Sequence, residues 1–210
     1  MRIAISGAGA VGRAVALELL GNGHKVLLIE RNPDRYRPDI VADADWLLAD
    51  ACELSALQEA ELQGCDAVIA ATGDDKANLA TSLIAKSEFA VPRVVARVNN
   101  ADNEWLFTDA WGVDQAISTP RAMVAAVEGA IDVGHLIRLL GLRQGRSDVA
   151  KLTLGPDSPL VGHRICDIAL SEHTILAAVL RAGRVITAPA AERLADGDEL
   201  VFIAPRNGRD

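Results

Sequence analysis

The sequence predicts an α/β protein in which a doubly wound parallel (Rossmann-like) sheet is followed by a second, smaller α+β domain. Short apolar runs alternate with helical segments from Ile3 to Ile117, the pattern of a parallel sheet covered on both faces. A glycine-rich turn follows the first apolar run directly. Beyond residue 148, short alternating strands are joined by turns such as Ala182-Gly183, which is typical of antiparallel pairing.

The glycine-rich turn has the G-x-G-x-x-G spacing of a dinucleotide-binding loop between a strand and a helix. In that loop the first glycine permits the tight turn, the second lets backbone approach a pyrophosphate, and the third lets helix and strand pack closely. The helix that follows presents free N–H groups to phosphate oxygens. The loop residues expected at the site are Gly7, Ala8, Gly9, Ala10, Val11 and Gly12.

Glu30 closes the second apolar strand, near the ~20-residue spacing expected for an acid that binds the adenosine ribose. Its charge favours a free 2′-hydroxyl, as in NAD(H), and would repel a 2′-phosphate. Arg31 follows at once, and an arginine there can bind the 2′-phosphate of NADP, so that alternative stays open. Strand, glycines, helix and acid together predict an adenine-nucleotide site; the alternative is a glycine-rich turn in an empty domain.

The ends of three later strands are expected to complete the same rim, because ligands of such sheets bind outside the carboxyl ends of the strands. Asp50 either flanks an adenine or caps the next turn. Arg97 either meets a phosphate or pairs with an acidic neighbour. The residues expected at these strand ends are Asp50, Ala51, Thr72, Gly73, Asp74 and Arg97.

Composition narrows the class of protein. The formal net charge of −8 argues against a nucleic-acid partner, which would favour a basic surface. No apolar stretch approaches the ~18 residues that span a bilayer, so we expect a cytoplasmic protein. Cys52, Cys65 and Cys166 lack the spacing of a zinc site, and the histidines lack ligand spacing. We therefore expect free thiols and no metal site.

The middle of the chain predicts a contact between subunits. Thr119-Pro120 is a good helix start, and the helix is expected to run to about Leu140 with too many apolar residues for one face. Such a helix is either wholly buried or packed on another subunit. A polar linker is expected from Gly141 to Ser147. The expected domains are residues 1–118, a crossover helix and linker at 119–147, and residues 148–210.

Several segments resemble a known family. The runs GAGAVGRAVALELLGNGHKVLLIE, DAC, ATGDDKANLATSLIAK and ARVNNADNEWLFTDAWGVDQAIST are similar to an RCK (KTN) nucleotide-binding domain. The runs SPLVGHRICDIAL and LADGDELVFIAP resemble the C-terminal RCK (TrkA-C) domain. The pair covers nearly the whole chain and resembles the TrkA-type regulatory subunits of potassium-uptake systems. One departure concerns nucleotide choice: Ala10 stands where some members carry a phosphate-binding arginine, and Arg13 follows the motif.

The resemblance implies a function and partners. It implies a homodimer or larger ring in the cytoplasm, peripheral on the inner face of the membrane, beneath a membrane-embedded potassium translocator. It also implies NAD(H) or ATP/ADP in the cleft, with ligand exchange moving the gate. The alternatives are a regulatory subunit of another channel or antiporter and an NAD-dependent oxidoreductase. Tyr36 is followed four residues later by Ile40 rather than lysine, so no Y-x-x-x-K pair exists, and we expect no catalytic residues.

Overall fold

The computed structural model describes residues 1–131, 134–142, 147–186 and 192–205. The chain divides into two compact units, Met1–Pro120 and Arg121–Asp210. Each unit has its own sheet, one of six strands and one of five. The two sheets differ in strand direction, and each is therefore described separately.

The first unit contains a six-stranded parallel sheet, which confirms the predicted fold class. Its order is β3-β2-β1-β4-β5-β6, and every neighbouring pair is parallel. The order reverses between β1 and β4, and this switch point creates a crevice at the carboxyl ends of the strands. The strands are β1 (Arg2–Ser6), β2 (Lys25–Glu30), β3 (Asp45–Leu48), β4 (Ala67–Ala70), β5 (Val94–Val98) and β6 (Gln115–Ser118).

Three α-helices lie within the first unit, and a fourth runs from its end into the second unit. Along β1 the side chains alternate between two apolar clusters: Ile3 and Ile5 pack in one, and Ala4 packs in the other. Period-two alternation between two buried faces is what a sheet covered on both sides requires. The helices are α1 (Ala10–Gly21), α2 (Leu54–Glu59), α3 (Asp75–Ser87) and α4 (Thr119–Ile131).

The sequence also predicts a helix from Asn100 to Ala110, and this prediction is wrong in type. The segment forms two short 3₁₀ turns, Ala101–Leu106 and Asp109–Trp111. The Asn100 side chain caps the first turn by accepting the N–H of Asp102, and the turn ends where Phe107 enters the core. Burial of Phe107 therefore competes with continuation of a regular helix.

The second unit contains an antiparallel sheet of order β10-β9-β11-β8-β7. One face of this sheet covers an apolar cluster that includes Leu154, Ile165, Val179, Leu200 and Phe202. Asp198 is fully buried beside this core, and its carboxylate accepts bonds from Arg181 and from the Ala195 N–H. The strands are β7 (Leu136–Gly141), β8 (Ser147–Thr153), β9 (Ile175–Arg181), β10 (Arg184–Val185) and β11 (Glu199–Pro205).

The crossover helix is shorter than the sequence pattern indicated. Helix α4 ends at Ile131, and the residues expected to continue it to Leu140 form β7, which pairs with β8. Gly134, with φ of +95°, lies between the two elements in a conformation that α-helix excludes. The expected linker is also altered, because Gly141 and Ser147 belong to strands; residues 143–146 lie outside the described residues. The sequence also predicts a short helix from Ile165 to Leu170, where the structure forms a single 3₁₀ turn, Ile165–Asp167.

The carboxylate of Asp75 fastens the start of α3 to the segment that follows β5. It accepts the N–H groups of Asn99 and Asn100 and the side-chain amides of Asn99 and Asn103, at 2.7 to 3.0 Å. Burial opposes ionisation of Asp75, but the bonds from Asn103, Asn99 and Asn100 outweigh it and hold its pKa below the ordinary value. The bonds to Asp75 explain the asparagines in the run VNNADN.

We expect Asp75→Asn to lower the free energy of unfolding of the first unit by about 2–3 kcal/mol at pH 7, because an amide replaces acceptor oxygens and leaves donors unpaired. The tryptophans Trp46, Trp105 and Trp111 all lie in this unit, so their fluorescence during urea unfolding reports on it.

Asp102→Asn, at an exposed position on the same segment, is the matched control and should stay within about 0.5 kcal/mol of wild type. Because the folded pKa of Asp75 lies below its unfolded value, its stabilising effect is present above the unfolded pKa. It is lost as the pH falls through the folded pKa. A gap between wild type and Asp75→Asn that stays constant from pH 7 to about pH 2 would contradict this assignment.

Candidate functional site

A cavity of about 580 Å³ opens at the carboxyl ends of the central strands of the first unit. It lies at the switch point between β1 and β4, where the sequence predicted a nucleotide. The predicted residues that line it are Gly7, Gly9, Ala10, Glu30, Arg31, Asp50, Ala51, Thr72, Gly73, Asp74 and Arg97.

Three of the predicted residues do not line the cavity. Ala8 and Gly12 are buried behind the loop, and Val11 is exposed on α1. Ala8 and Gly12 therefore shape the loop from within, and we assign them no contact with a ligand. The N–H of Ala8 nevertheless helps to hold the loop in place, because it donates to the carboxylate of Glu30 on β2.

The glycines of the loop have distinct roles. Gly7 has φ of +94°, and a Cβ there would lie 2.9 Å from the Cα of Thr72, so the turn excludes larger residues. A Cβ on Gly12 would lie 1.9 Å from the carbonyl oxygen of Gly7. At Gly9, in contrast, a Cβ would meet nothing within 4 Å. Gly9 is the N-cap of α1 and carries no capping side chain, so the first N–H groups of α1 are left uncapped beside the cavity.

Glu30 joins β2 to the glycine loop. Its Oε2 accepts the N–H of Ala8 at 2.8 Å, and its Oε1 accepts the N–H of Asn32 at 2.9 Å. The residue is only 5% exposed, yet it lines the cavity. Each carboxylate oxygen has a second lone pair. Glu30 can therefore hold the loop and accept hydroxyl groups from a ribose at once.

Asp50 acts as a cap and also lines the cavity, so the two expectations for it are compatible. Its Oδ1 accepts the Cys52 N–H at 2.9 Å, and this bond, against the opposing effect of burial, lowers the pKa of Asp50. Arg31 Nη1 lies 3.5 Å from Oδ2, although the Arg31 side chain is largely exposed. Burial, with the Asp50 charge as a second cause, raises the pKa of the Cys52 thiol, which keeps it protonated.

Asn78 is a buried residue of α3 that sequence reasoning missed. Its Oδ1 accepts the N–H of Thr72 at 2.9 Å and the Thr72 hydroxyl at 2.6 Å. Its Nδ2 donates to the carbonyl oxygen of Arg97 at 2.8 Å. Asn78 thus fixes the ends of β4 and β5 relative to each other. The buried face of α3 also carries Asp75, Thr81 and Ser82, so the polarity of Asn78 did not distinguish it in the sequence.

Four arginines line the cavity together with three carboxylates, in a chain whose formal net charge is −8. Arg13 and Arg35 line it beside the predicted Arg31 and Arg97, and Arg13 Nη1 donates to the carbonyl oxygen of Ala8 at 2.8 Å. Arg97 pairs with no acid in the described residues; its Nε donates to the hydroxyl of Thr119 at 2.8 Å. Guanidinium groups and a helix N-terminus around one cavity suit a ligand with phosphate groups.

The described residues contain no group of His, Cys, Asp or Glu side chains placed to hold a metal ion. Cys52 is half-buried, Cys65 is buried and Cys166 is exposed, and all three are free. Over the same part of the chain, no helix has the length and apolar character needed to cross a membrane. The polar groups around the cavity are backbone N–H donors, guanidinium groups and carboxylates.

Comparison with known proteins shows relatives of both parts of the chain. The TrkA-N domain model matches residues 3–119, and the TrkA-C domain model matches residues 149–210. The Trk system potassium uptake protein TrkA of Mycobacterium tuberculosis (strain ATCC 25618 / H37Rv) is 50% identical over 204 residues, which are 97% of this chain and 93% of that protein. A TrkA homolog of Methanothermobacter thermautotrophicus is 30% identical over 89% of this chain and 85% of its own length.

A solved structure extends the likeness of the fold over both units. The structure described as the GsuK channel bound to NAD covers 98% of this chain with a TM-score of 0.69, at 16% sequence identity. This chain spans 37% of that one, and at 16% identity the match shows a shared fold only. With a TrkA-N domain followed by a TrkA-C domain, and close relatives of nearly the same length, the chain belongs to the TrkA family.

Proposed function

We propose that this chain is a nucleotide-sensing regulatory subunit of a Trk-type potassium uptake system. An adenine nucleotide bound in the cavity changes the state of an assembly of these chains, which gates a separate membrane-embedded potassium translocator from the cytoplasmic side. The observation that carries the proposal is the buried Glu30 carboxylate, which holds the glycine loop so that the start of α1 faces an open cavity. The TrkA names of its relatives support the potassium system as the target.

The contacts around the cavity define how the ligand is held. Phosphates lie at the start of α1, beside Gly9, with Arg97 available as a cation. The adenosine ribose donates to Glu30, and the adenine lies near Asp50 and Ala51. NAD(H) is the first choice, and ATP or ADP shares the adenosine and the first phosphates. Glu30 favours NAD(H) over NADP(H), since its charge opposes a 2′-phosphate.

We propose that the site senses its ligand without chemical turnover. The cavity lining contains no histidine or tyrosine, and the Cys52 thiol is held in its protonated form. Among the lining carboxylates, Asp50 has a lowered pKa and so is a poor proton donor at neutral pH. An oxidoreductase needs a proton donor or acceptor matched to neutral pH beside the nicotinamide. The lining is better suited to binding than to that reaction.

We expect Glu30→Gln to weaken NADH binding at least tenfold in calorimetry, because a bond to a charged group contributes roughly 1.5–3 kcal/mol. Gln keeps the size of the side chain and one acceptor oxygen for the loop. Wild type should bind NADH more tightly than NADPH, and the substitution should reduce that preference.

Glu59→Gln is the matched control, because Glu59 is exposed on α2 and does not line the cavity. Its NADH affinity should equal that of wild type. Equal NADH affinity in wild type and Glu30→Gln would remove Glu30 from the site, and a consistent preference for NADPH would reverse the proposed choice of ligand.

Self-association follows from the surface of α4. Met123, Val124 and Val127 are 64%, 53% and 48% exposed, and helical spacing places them on one side of α4. A cluster of large apolar side chains left in water is the mark of a protein–protein contact. We propose that this face packs against a second copy of the chain in a homodimer or larger ring.

Val127→Asp should dissociate the assembly or shift its dissociation constant at least tenfold, because a buried unpaired carboxylate opposes burial of the apolar face. Analytical ultracentrifugation across micromolar concentrations measures the effect. Ala122→Asp places the same charge at an exposed position on the other side of α4 and should leave the assembly intact. A wild-type monomer at these concentrations would contradict the proposed contact.

Gating is tested by potassium flux through the translocator reconstituted in vesicles with this chain on the outside. Exchange of NAD⁺, NADH, ADP and ATP at saturating concentration should change the flux severalfold, since coupling energies are typically about 1–3 kcal/mol. Glu30→Gln should require higher NADH for the same response, whereas Glu59→Gln should match wild type. Constant flux with all four nucleotides, together with hydride transfer to a substrate, would favour an oxidoreductase instead.

A further inference from the structure

Arg97 connects the cavity to the first residue of α4. It is half-buried near the end of β5 and lines the cavity, and its Nε donates to the Thr119 hydroxyl at 2.8 Å. Thr119 is where α4 begins. One guanidinium therefore touches both the space expected to hold a phosphate and the start of a helix outside the cavity lining.

The backbone on both sides of this bond is fixed. Asn78 Nδ2 holds the carbonyl oxygen of Arg97 at 2.8 Å, and β5 pairs with β6 so that Arg97 lies beside Ile117. Thr119 follows Ile117 by two residues. Between these held backbones, the Arg97 side chain is the part that can adapt to a ligand.

The guanidinium has donors left over for a ligand. It carries five N–H groups, and the Thr119 hydroxyl accepts one of them. No acidic side chain among the described residues forms an ion pair with Arg97. A phosphate that accepts the remaining N–H groups makes the stronger, charge-assisted bond and so fixes the orientation of the whole guanidinium.

We propose that Thr119 is a positioning residue for nucleotide sensing: its hydroxyl, held by Arg97, transmits the charge of the bound nucleotide to the first turn of α4. This inference rests on the proposed function, because it assigns a route to the response of that same cavity. Pro120 makes the route effective, since a proline in the first turn has a fixed φ and no N–H to rearrange.

The position of α4 in the chain explains why the bond between Arg97 and Thr119 would affect the assembly. The first unit ends at Pro120, and the helix continues into the second unit, so Arg97 bonds the first residue of an element that both units share. The same helix carries the exposed apolar residues Met123, Val124 and Val127. A ligand that fixes Thr119 therefore acts on the element proposed to join two copies of the chain.

The test compares Thr119→Val with Thr119→Ser in the full-length chain. Valine keeps the shape of threonine and removes the hydroxyl, whereas serine keeps the hydroxyl. Hydrogen exchange of the amides in residues 119–131 is measured with and without saturating NADH, and NADH affinity is measured by calorimetry. The ratio of exchange rates with and without NADH removes any effect of valine on the helix start itself.

We expect NADH to slow exchange in this segment at least fivefold in wild type and in Thr119→Ser, but less than twofold in Thr119→Val. The NADH affinities of the three proteins should agree within about threefold. Arg97→Lys keeps the positive charge without the guanidinium geometry and should also lose the response, with weaker binding.

Results that differ from these expectations would each contradict a specific part of the proposal. A full response in Thr119→Val, or a lost response in Thr119→Ser, overturns the role of the hydroxyl. A more than tenfold loss of affinity in Thr119→Val shows that Thr119 acts on binding and not on transmission. Wild type that binds NADH without any change in exchange overturns this inference alone, whereas wild type that binds no adenine nucleotide overturns the proposed function.

Discussion

The buried carboxylate of Glu30 is the constraint on which the candidate site depends. It lies at the end of β2 and holds the glycine loop at the end of β1 through the N–H of Ala8. The N–H of Gly7 also bonds back to the carbonyl oxygen of Ile29, so the loop is fastened to β2 twice. A buried carboxylate is stable only when backbone or cationic donors satisfy it. The same residue therefore shapes the loop and gives the cavity its acceptor oxygens.

Two further side chains perform the equivalent task on the other side of the switch point. Asn78 ties the end of β4 to the end of β5, and Asp75 ties the start of α3 to the segment after β5. Both residues lie on the first turns of α3, and both are buried. The cavity is thus enclosed by strand ends that are joined through polar side chains, while apolar packing holds the sheet beneath them.

The sheet and the loop were predictable because short-range patterns specify them. Apolar runs at Ile3–Ile5 and Val26–Ile29 define strands, and the glycine spacing defines the turn between them. The contributions of Asn78 and Arg35 were not predictable in the same way, because each depends on contacts between residues distant in sequence or on the path of an irregular segment. A buried amide in α3 has no local signature until the strands around it are placed.

The end of α4 illustrates a different limit. From Leu136 to Gly141 the chain contains several large aliphatic residues in succession, and periodicity alone does not separate such a run from a helix. Pairing with β8 decides the outcome: Ile137 is buried, while Leu136 on the neighbouring position is 62% exposed. The period of two becomes visible only once the partner strand is present, so tertiary pairing and not local propensity determines this element.

The energetic scale of regulation is consistent with a link as small as one hydrogen bond. A net hydrogen bond contributes about 0.5–1.5 kcal/mol, and a bond to a charged group about 1.5–3 kcal/mol. Allosteric coupling typically needs about 1–3 kcal/mol, and a ligand shifts an equilibrium only by its difference in affinity between two states. The bond from Arg97 to Thr119 lies within this range, and each chain of the proposed assembly would repeat it. A guanidinium that bonds a helix start and lies beside the proposed phosphate position therefore suffices, in magnitude, to couple nucleotide charge to α4.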